Sequence, residues 1–219
     1  MSYDPPVSVL LTQGDVRFQQ GGWPDYVATY GFDASHVPEL IRMATDPELN
    51  SQADEPGIWA PVHAWRALGQ LRAAEAIEPL IGLFDLIEND DFVPEAADAI
   101  AMIGPAALPP LVRHLADTAR PLYSRTLAVE AIAKIGRHHP SARDDVVATL
   151  ISHLERFESN DREVNAFLVY GLLDLRVTQP AAVAAMEAAH AADRVDESVC
   201  GDWEDVQGAP QDGQAIATA

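Results

Sequence analysis

Two short runs place a histidine at the same point of the same apolar frame: Leu111-Val112-Arg113-His114-Leu115 and Leu150-Ile151-Ser152-His153-Leu154. Leucines at helical spacing around each histidine put both runs on amphipathic helices. Stacked helices lie about 8–10 Å apart, so imidazoles at equivalent positions could face each other and begin a small metal or ligand site. A closed zinc site takes four ligands, and no third stands at matching spacing. His114 and His153 are therefore the only metal-ligand candidates, and they are read as boundary histidines beside core leucines. No resident metal and no cofactor is expected.

Other reactive groups are accounted for in the same way. Trp59, His63 and Trp65 cluster on one predicted helix. Trp65 falls on its packing side, whereas Trp59 and His63 are a candidate exposed contact patch, aromatic anchors being enriched at interfaces. His138-His139 precede Pro140 in a predicted turn and read as solvated. Gly21-Gly22 leads into Trp-Pro and no Gly-Lys-Ser/Thr follows, so no phosphate-binding loop is present. Cys200 is the single cysteine, which rules out an internal disulfide and a cysteine zinc cage. Its acidic neighbours raise its pKa, where a nucleophile needs the reverse. Asp90-Asp91 and Asp144-Asp145 read as solvated helix ends.

The elements that hold these residues come from a repeat. Ala67, Ala99, Ala131 and Gly171 occupy one position of an aligned segment, at intervals of 32, 32 and 40 residues, each followed by large aliphatics one and four places later. Little bulk at a helix crossing with Leu or Ile beside it is what close helix approach requires. Each segment is followed by a second amphipathic pattern. Ile77, Leu80, Ile81, Phe84 and Ile87 form the first stripe, and Leu108, Leu111, Val112 and Leu115 the next. Val146, Val147, Leu150, Ile151, Leu154 and Phe157 form a third, and an Ala-rich pattern around Val183 and Met186 a terminal one. Pro61, Pro79, Pro94, Pro109, Pro121 and Pro180 stand at predicted helix starts, where the missing N–H costs nothing. Asn89-Asp90-Asp91, Gly104-Pro105, His138 to Ser141 and Ser159-Asn160-Asp161 break the patterns. No alternating β-branched run with hairpin signals occurs.

Charge narrows the partner. Acidic residues number 34 against 14 basic ones, a formal net charge of -20. Phosphate backbones are neutralised by Lys and Arg, so nucleic acid is not the expected partner, and an anionic membrane surface is disfavoured for the same reason. The acidity is first a solvated, self-repelling surface that aids solubility, and second a dock for a basic protein. Lys134 is the only lysine. The N-terminus lacks a basic region before its short apolar stretch, and no run of about 18 apolar residues occurs, so a cytoplasmic location is expected.

Residues 62–85, VHAWRALGQLRAAEAIEPLIGLFD, resemble the HEAT-like repeat of phycobilisome lyases. The shared elements are a small residue, Leu-Gly, an aliphatic, a short turn, and an apolar-Pro-x-Leu-Ile second helix. Residues 93–117 and 122–157 are similar, and Arg125 matches the Arg common near the start of that family's first helix. The resemblance covers roughly residues 57–195. It implies an all-α fold, a right-handed α-α superhelix or HEAT-like solenoid of about four helix pairs, with further helices before it. It leaves function open, because such repeats serve scaffolds, lyases and DNA-repair proteins alike. Ala73, Pro105 and Arg137 stand where the family has Asp after the turn, and Pro61, Val93 and Asn165 where it has Arg. The family's inter-repeat polar ladder is therefore not expected. None of the seven histidines is followed by Glu, so the iron ligands of HEAT-like hydroxylases are missing. One lysine cannot make the basic concave face of the HEAT-like glycosylases.

The domain reading is an N-terminal helical cap and linker over 1–56, a repeat array over 57–195 and an acidic tail over 196–219, the tail loosely docked. The functional reading is a non-catalytic scaffold or binding module for a protein partner, a basic one by charge. The second reading is a lyase-like enzyme or accessory protein that takes a small ligand. The candidate binding residues on the predicted concave face are Glu78, Asp85, Arg113, His114, Ser152, His153 and Arg156.

Overall fold

Proline begins many of the helices. Pro38, Pro61, Pro94, Pro109 and Pro180 each stand at the first or second residue of one, and Pro121 is the residue before another. The fixed φ of proline suits the first turn, where its missing N–H would have had no partner. A computed structural model of the chain describes residues 2–15, 22–50, 56–86 and 93–208. Gly21, Ile87, the Asn89-Asp90-Asp91 break, most of the predicted linker and the tail beyond residue 208 lie outside them.

The described residues are helical, with no strand among them. Three short helices come first: α1 (Tyr26–Tyr30), α2 (Val37–Ala44) and α3 (Pro47–Asn50). Four pairs follow: α4 (Ala60–Gln70) with α5 (Ile77–Gly82), α6 (Pro94–Ile103) with α7 (Leu108–Ala116), α8 (Leu122–His138) with α9 (Arg143–Leu154), and α10 (Arg162–Asp174) with α11 (Pro180–Ala191). Two short helices, α12 (Glu197–Cys200) and α13 (Trp203–Gly208), end the described chain.

The first helix of each pair packs on the first helix of the next, α4 on α6, α6 on α8 and α8 on α10. Each second helix also packs on the following first helix, α5 on α6, α7 on α8 and α9 on α10, and α2 lies on α4 in the same way. The expected small positions sit at these crossings. A Cβ added to Gly69 would meet the Ala99 Cα at 3.0 Å and its carbonyl oxygen at 3.1 Å, and one added to Gly171 would meet the Ala133 Cβ at 3.3 Å. Two residues past the repeat position on one helix thus touches the repeat position on the next, at both ends of the array. Ala67, Ala99 and Ala131 are completely buried, with Leu68, Ile100 and Ile132 beside them in one continuous core.

Helix ends recur as well. After α4 the Ala73 N–H donates to Leu68 O and the Arg72 N–H to Gly69 O; after α10 Val177 and Arg176 do the same to Leu172 and Leu173. These are paired C-terminal caps whose turning residue must be left-handed. Arginine fills that place, at φ 51° for Arg72 and 50° for Arg176. At the end of α6 the residue is Gly104, φ 109°, and the His139 ring closes over it, donating from Nε2 to Ala101 O at 2.8 Å. His139 is thus a cap on the neighbouring pair and not a solvated turn residue.

Both flanking segments are tied to the array. A 3-10 segment, Val7–Thr12, buries Val7 and Leu10, and the Trp65 indole donates to Ala44 O at 2.8 Å. The expected contact patch does not form. His63 is completely buried and Trp59 is half-buried, because the N-terminal segment covers this end of α4. At the end of the array the Arg194 guanidinium donates to Phe157 O, Glu158 O and Asn160 O, and Asn165 Nδ2 donates to Arg194 O at 2.7 Å. Val195 and Val206 are buried, and Trp203 lies against His190.

Candidate functional site

The polar residues expected on the second helices are placed by α5, α7 and α9. Most are engaged with each other or with a first helix. Arg113 on α7 pairs with Glu78 on α5 at 2.6 Å, both largely exposed. Asp85, just after α5, accepts from the Ser124 hydroxyl of α8 at 2.7 Å and from Arg120. Ser124 Oγ in turn lies 2.6 Å from His114 Nε2. Because the hydroxyl proton goes to Asp85, the imidazole is the donor to Ser124. The order Asp–Ser–His is not that of a nucleophilic triad, in which the histidine stands between and takes the serine proton. Burial holds the His114 pKa below its ordinary value, against the pull of Asp85.

His153, at the matching place on α9, accepts from Arg156 Nη2 through Nδ1 at 3.1 Å. Burial, then the Arg156 charge, lowers its pKa to about 4. Ser152 Oγ donates back to Thr149 O. His114 and His153 are each committed to their own neighbours. Among the described residues no group of three His, Cys, Asp or Glu is arranged to hold a metal. His63 is a third desolvated imidazole: its Nε2 donates to Gly14 O at 2.9 Å, so Nδ1 accepts from the Tyr26 hydroxyl at 2.6 Å, and burial depresses its pKa. Cys200 is half-buried and its thiol is pushed up to about 12, by burial and then by Asp196 and Glu197.

The cations show a pattern that the family motif did not predict. Arg66 pairs with Glu95 at 2.7 Å, Lys134 with Asp98 at 2.8 Å, Arg137 with Asp174 at 3.2 Å, and Arg162 with Asp193 at 2.7 Å. Arg125 is bound to Asp161 and Arg120 to Asp85. The partners stand between 29 residues apart, for Arg66–Glu95, and 37 apart, for Arg137–Asp174. That is about one repeat. An inter-repeat polar ladder therefore exists, and apart from Arg125 it is built from other residues than the motif marked. With these bases engaged in intramolecular pairs, an excess of carboxylates has no base to pair with.

Two cavities lie on the side of the first helices, away from the predicted residues. One, of about 590 Å³, is bounded by Trp23, Gln70, Arg72, Met102, His138 and His139, at the C-terminal ends of α4, α6 and α8. The other, of about 330 Å³, lies between α8 and α10, with Ala133 and Gly171, Phe167 and Tyr170, Glu130 and Val199 among its walls. Sequence reasoning missed both. The signal for the second was the small residue at the α8–α10 crossing, read only as packing, beside an acidic residue in an otherwise apolar run, Ala128 to Ile132.

No known protein family, curated protein or solved structure matches the chain. Among the described residues no single helix is long and apolar enough to cross a membrane. The one bent combination that has the length, Pro94–Ile103 with Pro105–Ala116, turns through 117°.

Proposed function

We propose that the chain is a HEAT-like binding module, a right-handed superhelix of helix pairs, whose acidic surface docks a basic protein partner without catalysing a reaction. The observation that carries this is the direction of the ion pairs. Bases at 66, 120, 125, 134, 137 and 162 reach acids about one repeat away, so they are taken up within the fold and the net charge of -20 is carried by the carboxylates in excess. Such a field steers and selects oppositely charged partners, and salt weakens it. The engaged states of His114, Ser124 and Asp85 give no activated nucleophile.

A basic polypeptide titrated into the protein tests this at low and at moderate salt. Binding at low salt that falls steeply as salt rises is the expected result. Absence of binding, or binding indifferent to salt, overturns it.

The larger cavity, with Trp23, Arg72 and two histidines, favours a second reading, a lyase-like accessory protein that holds a small ligand there. A chromophore or metabolite retained through purification from the native cell would support that reading over the first.

A further inference from the structure

Glu130 sits on α8 one turn before Lys134, the spacing at which a glutamate and a lysine ordinarily pair on a helix. Lys134 does not take that partner. Its ammonium lies 2.8 Å from Asp98 on α6, and the Glu130 carboxylate has no hydrogen bond or ion pair among the described residues. The group is half-buried and lines the 330 Å³ cavity between α8 and α10. The other charges around the cavity are already matched, Lys134 with Asp98 and Arg137 with Asp174. What remains is one unmatched carboxylate.

The rest of the cavity suits a long side chain that ends in a cation. Its floor is shallow because Ala133 and Gly171 meet at the helix crossing, a Cβ on Gly171 falling 3.3 Å from that of Ala133. Phe167 and Val199, both partly buried against the core, offer apolar surface to an aliphatic stem, and the Tyr170 ring offers a face to a cation. A partly dried carboxylate is matched best by a planar guanidinium, which is weakly hydrated and can donate two parallel hydrogen bonds.

We propose that this cavity is an anchor pocket for an arginine side chain of the basic partner, its guanidinium paired with Glu130 and its stem laid over Ala133, Gly171 and Phe167. The inference rests on the basic-partner reading and places its most specific contact on the first helices. Burial, opposed by Lys134 and assisted by Asp98, raises the Glu130 pKa, as expected of a carboxylate that awaits a counter-charge.

The test uses the full chain and a synthetic peptide of alternating Arg and Gly, beside the same peptide with citrulline, the neutral isostere, in place of Arg. The wild-type protein binds the Arg peptide and not the citrulline one. Glu130→Gln weakens binding by about tenfold or more, the scale of one lost buried charge pair, whereas Glu187→Gln, the same charge change at an exposed position of α11, leaves it within about twofold. Val199→Trp plugs the cavity without altering charge and weakens binding as well. Equal losses for both glutamate variants would mean that only the general field acts, and would overturn the pocket. So would an unchanged affinity in Glu130→Gln, while a salt-sensitive peptide would leave the docking reading in place. If the peptide fails to bind but methylguanidinium shifts the Phe167 and Tyr170 resonances in wild type and not in Glu130→Gln, the pocket stands and the docking reading falls.

Discussion

Lys134 reaches across from α8 to Asp98 on α6, 2.8 Å away, rather than back along its own helix to Glu130. This choice ties two neighbouring first helices together and leaves a desolvated carboxylate beside a cavity. It has a cost in stability that can be measured. For an acid whose folded pKa lies above its unfolded one, the folded state holds the proton more tightly. Stability is then greater below the unfolded pKa and is lost as pH rises through the interval up to the folded value. Glu130 has this direction of shift. Glu130→Gln is expected to raise Tm at neutral pH by roughly 1–3 °C for a domain of this size, discounted for partial exposure, and to do less at pH 4. A lower Tm at neutral pH would contradict the placement of the carboxylate.

Gly69 and Gly82 give opposite outcomes for one substitution. Alanine favours a helix over glycine by about 0.5–1 kcal/mol. At Gly82 a Cβ meets nothing within 4 Å, so Gly82→Ala should stabilise by up to that amount. At Gly69 it meets the backbone of Ala99 at 3.0 Å and 3.1 Å, which cannot yield as a flexible side chain would. Gly69→Ala should therefore destabilise by roughly 1–3 kcal/mol, the usual cost of overpacking. Urea melts of the two variants check the pair; a neutral Gly69→Ala would mean that α4 and α6 do not meet there.

That crossing is legible in the sequence, because a small residue returning with aliphatics beside it has few physical explanations. The sites were less legible, for identifiable reasons. His63 looked exposed because only its own helix was in view; its partners, Gly14 and Tyr26, lie 49 and 37 residues away, in a segment without the repeat pattern. The tail looked loose because its composition is acidic, yet two of its apolar residues are used: Val206 is buried and Trp203 lies against His190. Glu130 escaped because periodicity marks which face a residue lies on, not whether the lysine four places later is already taken.

Arg176 occupies the left-handed position of its C-terminal cap with φ 50° and an exposed side chain. A non-glycine residue in that conformation costs about 1–2 kcal/mol, and glycine returns part of the gain through the greater entropy of its unfolded chain. Arg176→Gly should raise stability by about 0.5–1 kcal/mol. Thermal denaturation reads this directly, and a clear loss of stability would argue against the left-handed cap.

Three buried histidines, with the more exposed His138 shifted in the same direction, set the acid limit of the fold. His63, His114 and His153 all have folded pKa values pushed down, each chiefly by burial. A base whose folded pKa is depressed favours unfolding once the unfolded chain begins to take the proton. The stability is whole well above the ordinary histidine value of about 6.5, and it declines as pH falls through that value toward the folded one, about 4 for His153. Imidazole resonances of His153 should stay in the neutral position from pH 8 to pH 5. A His153 that protonates near 6.5 would show that Arg156 and the surrounding leucines do not enclose it.

Asp98 offers the sharpest separation of structure from charge. It is not among the residues that line the cavity around Glu130, so without a rearrangement Asp98→Asn would remove only its charge from the surroundings of Glu130. The ion-pair geometry predicts otherwise. Without Asp98 the Lys134 ammonium loses its partner at 2.8 Å, and the nearest unmatched carboxylate is Glu130, one helical turn back. A glutamate four residues before a lysine pairs with it readily, so the ammonium should swing to Glu130 and occupy the place proposed for an arginine. Two effects follow: the raised Glu130 pKa falls back toward the ordinary carboxylate range, further than loss of the Asp98 charge alone would take it, and the affinity for the Arg peptide drops. Asp98 does not line the cavity, so a simple loss of attraction would be smaller than the loss in Glu130→Gln. Carboxylate carbon shifts followed against pH in wild type and Asp98→Asn measure the first effect. If the Glu130 titration does not move, Lys134 is held by something other than Asp98, and the account of why Glu130 lacks a partner fails.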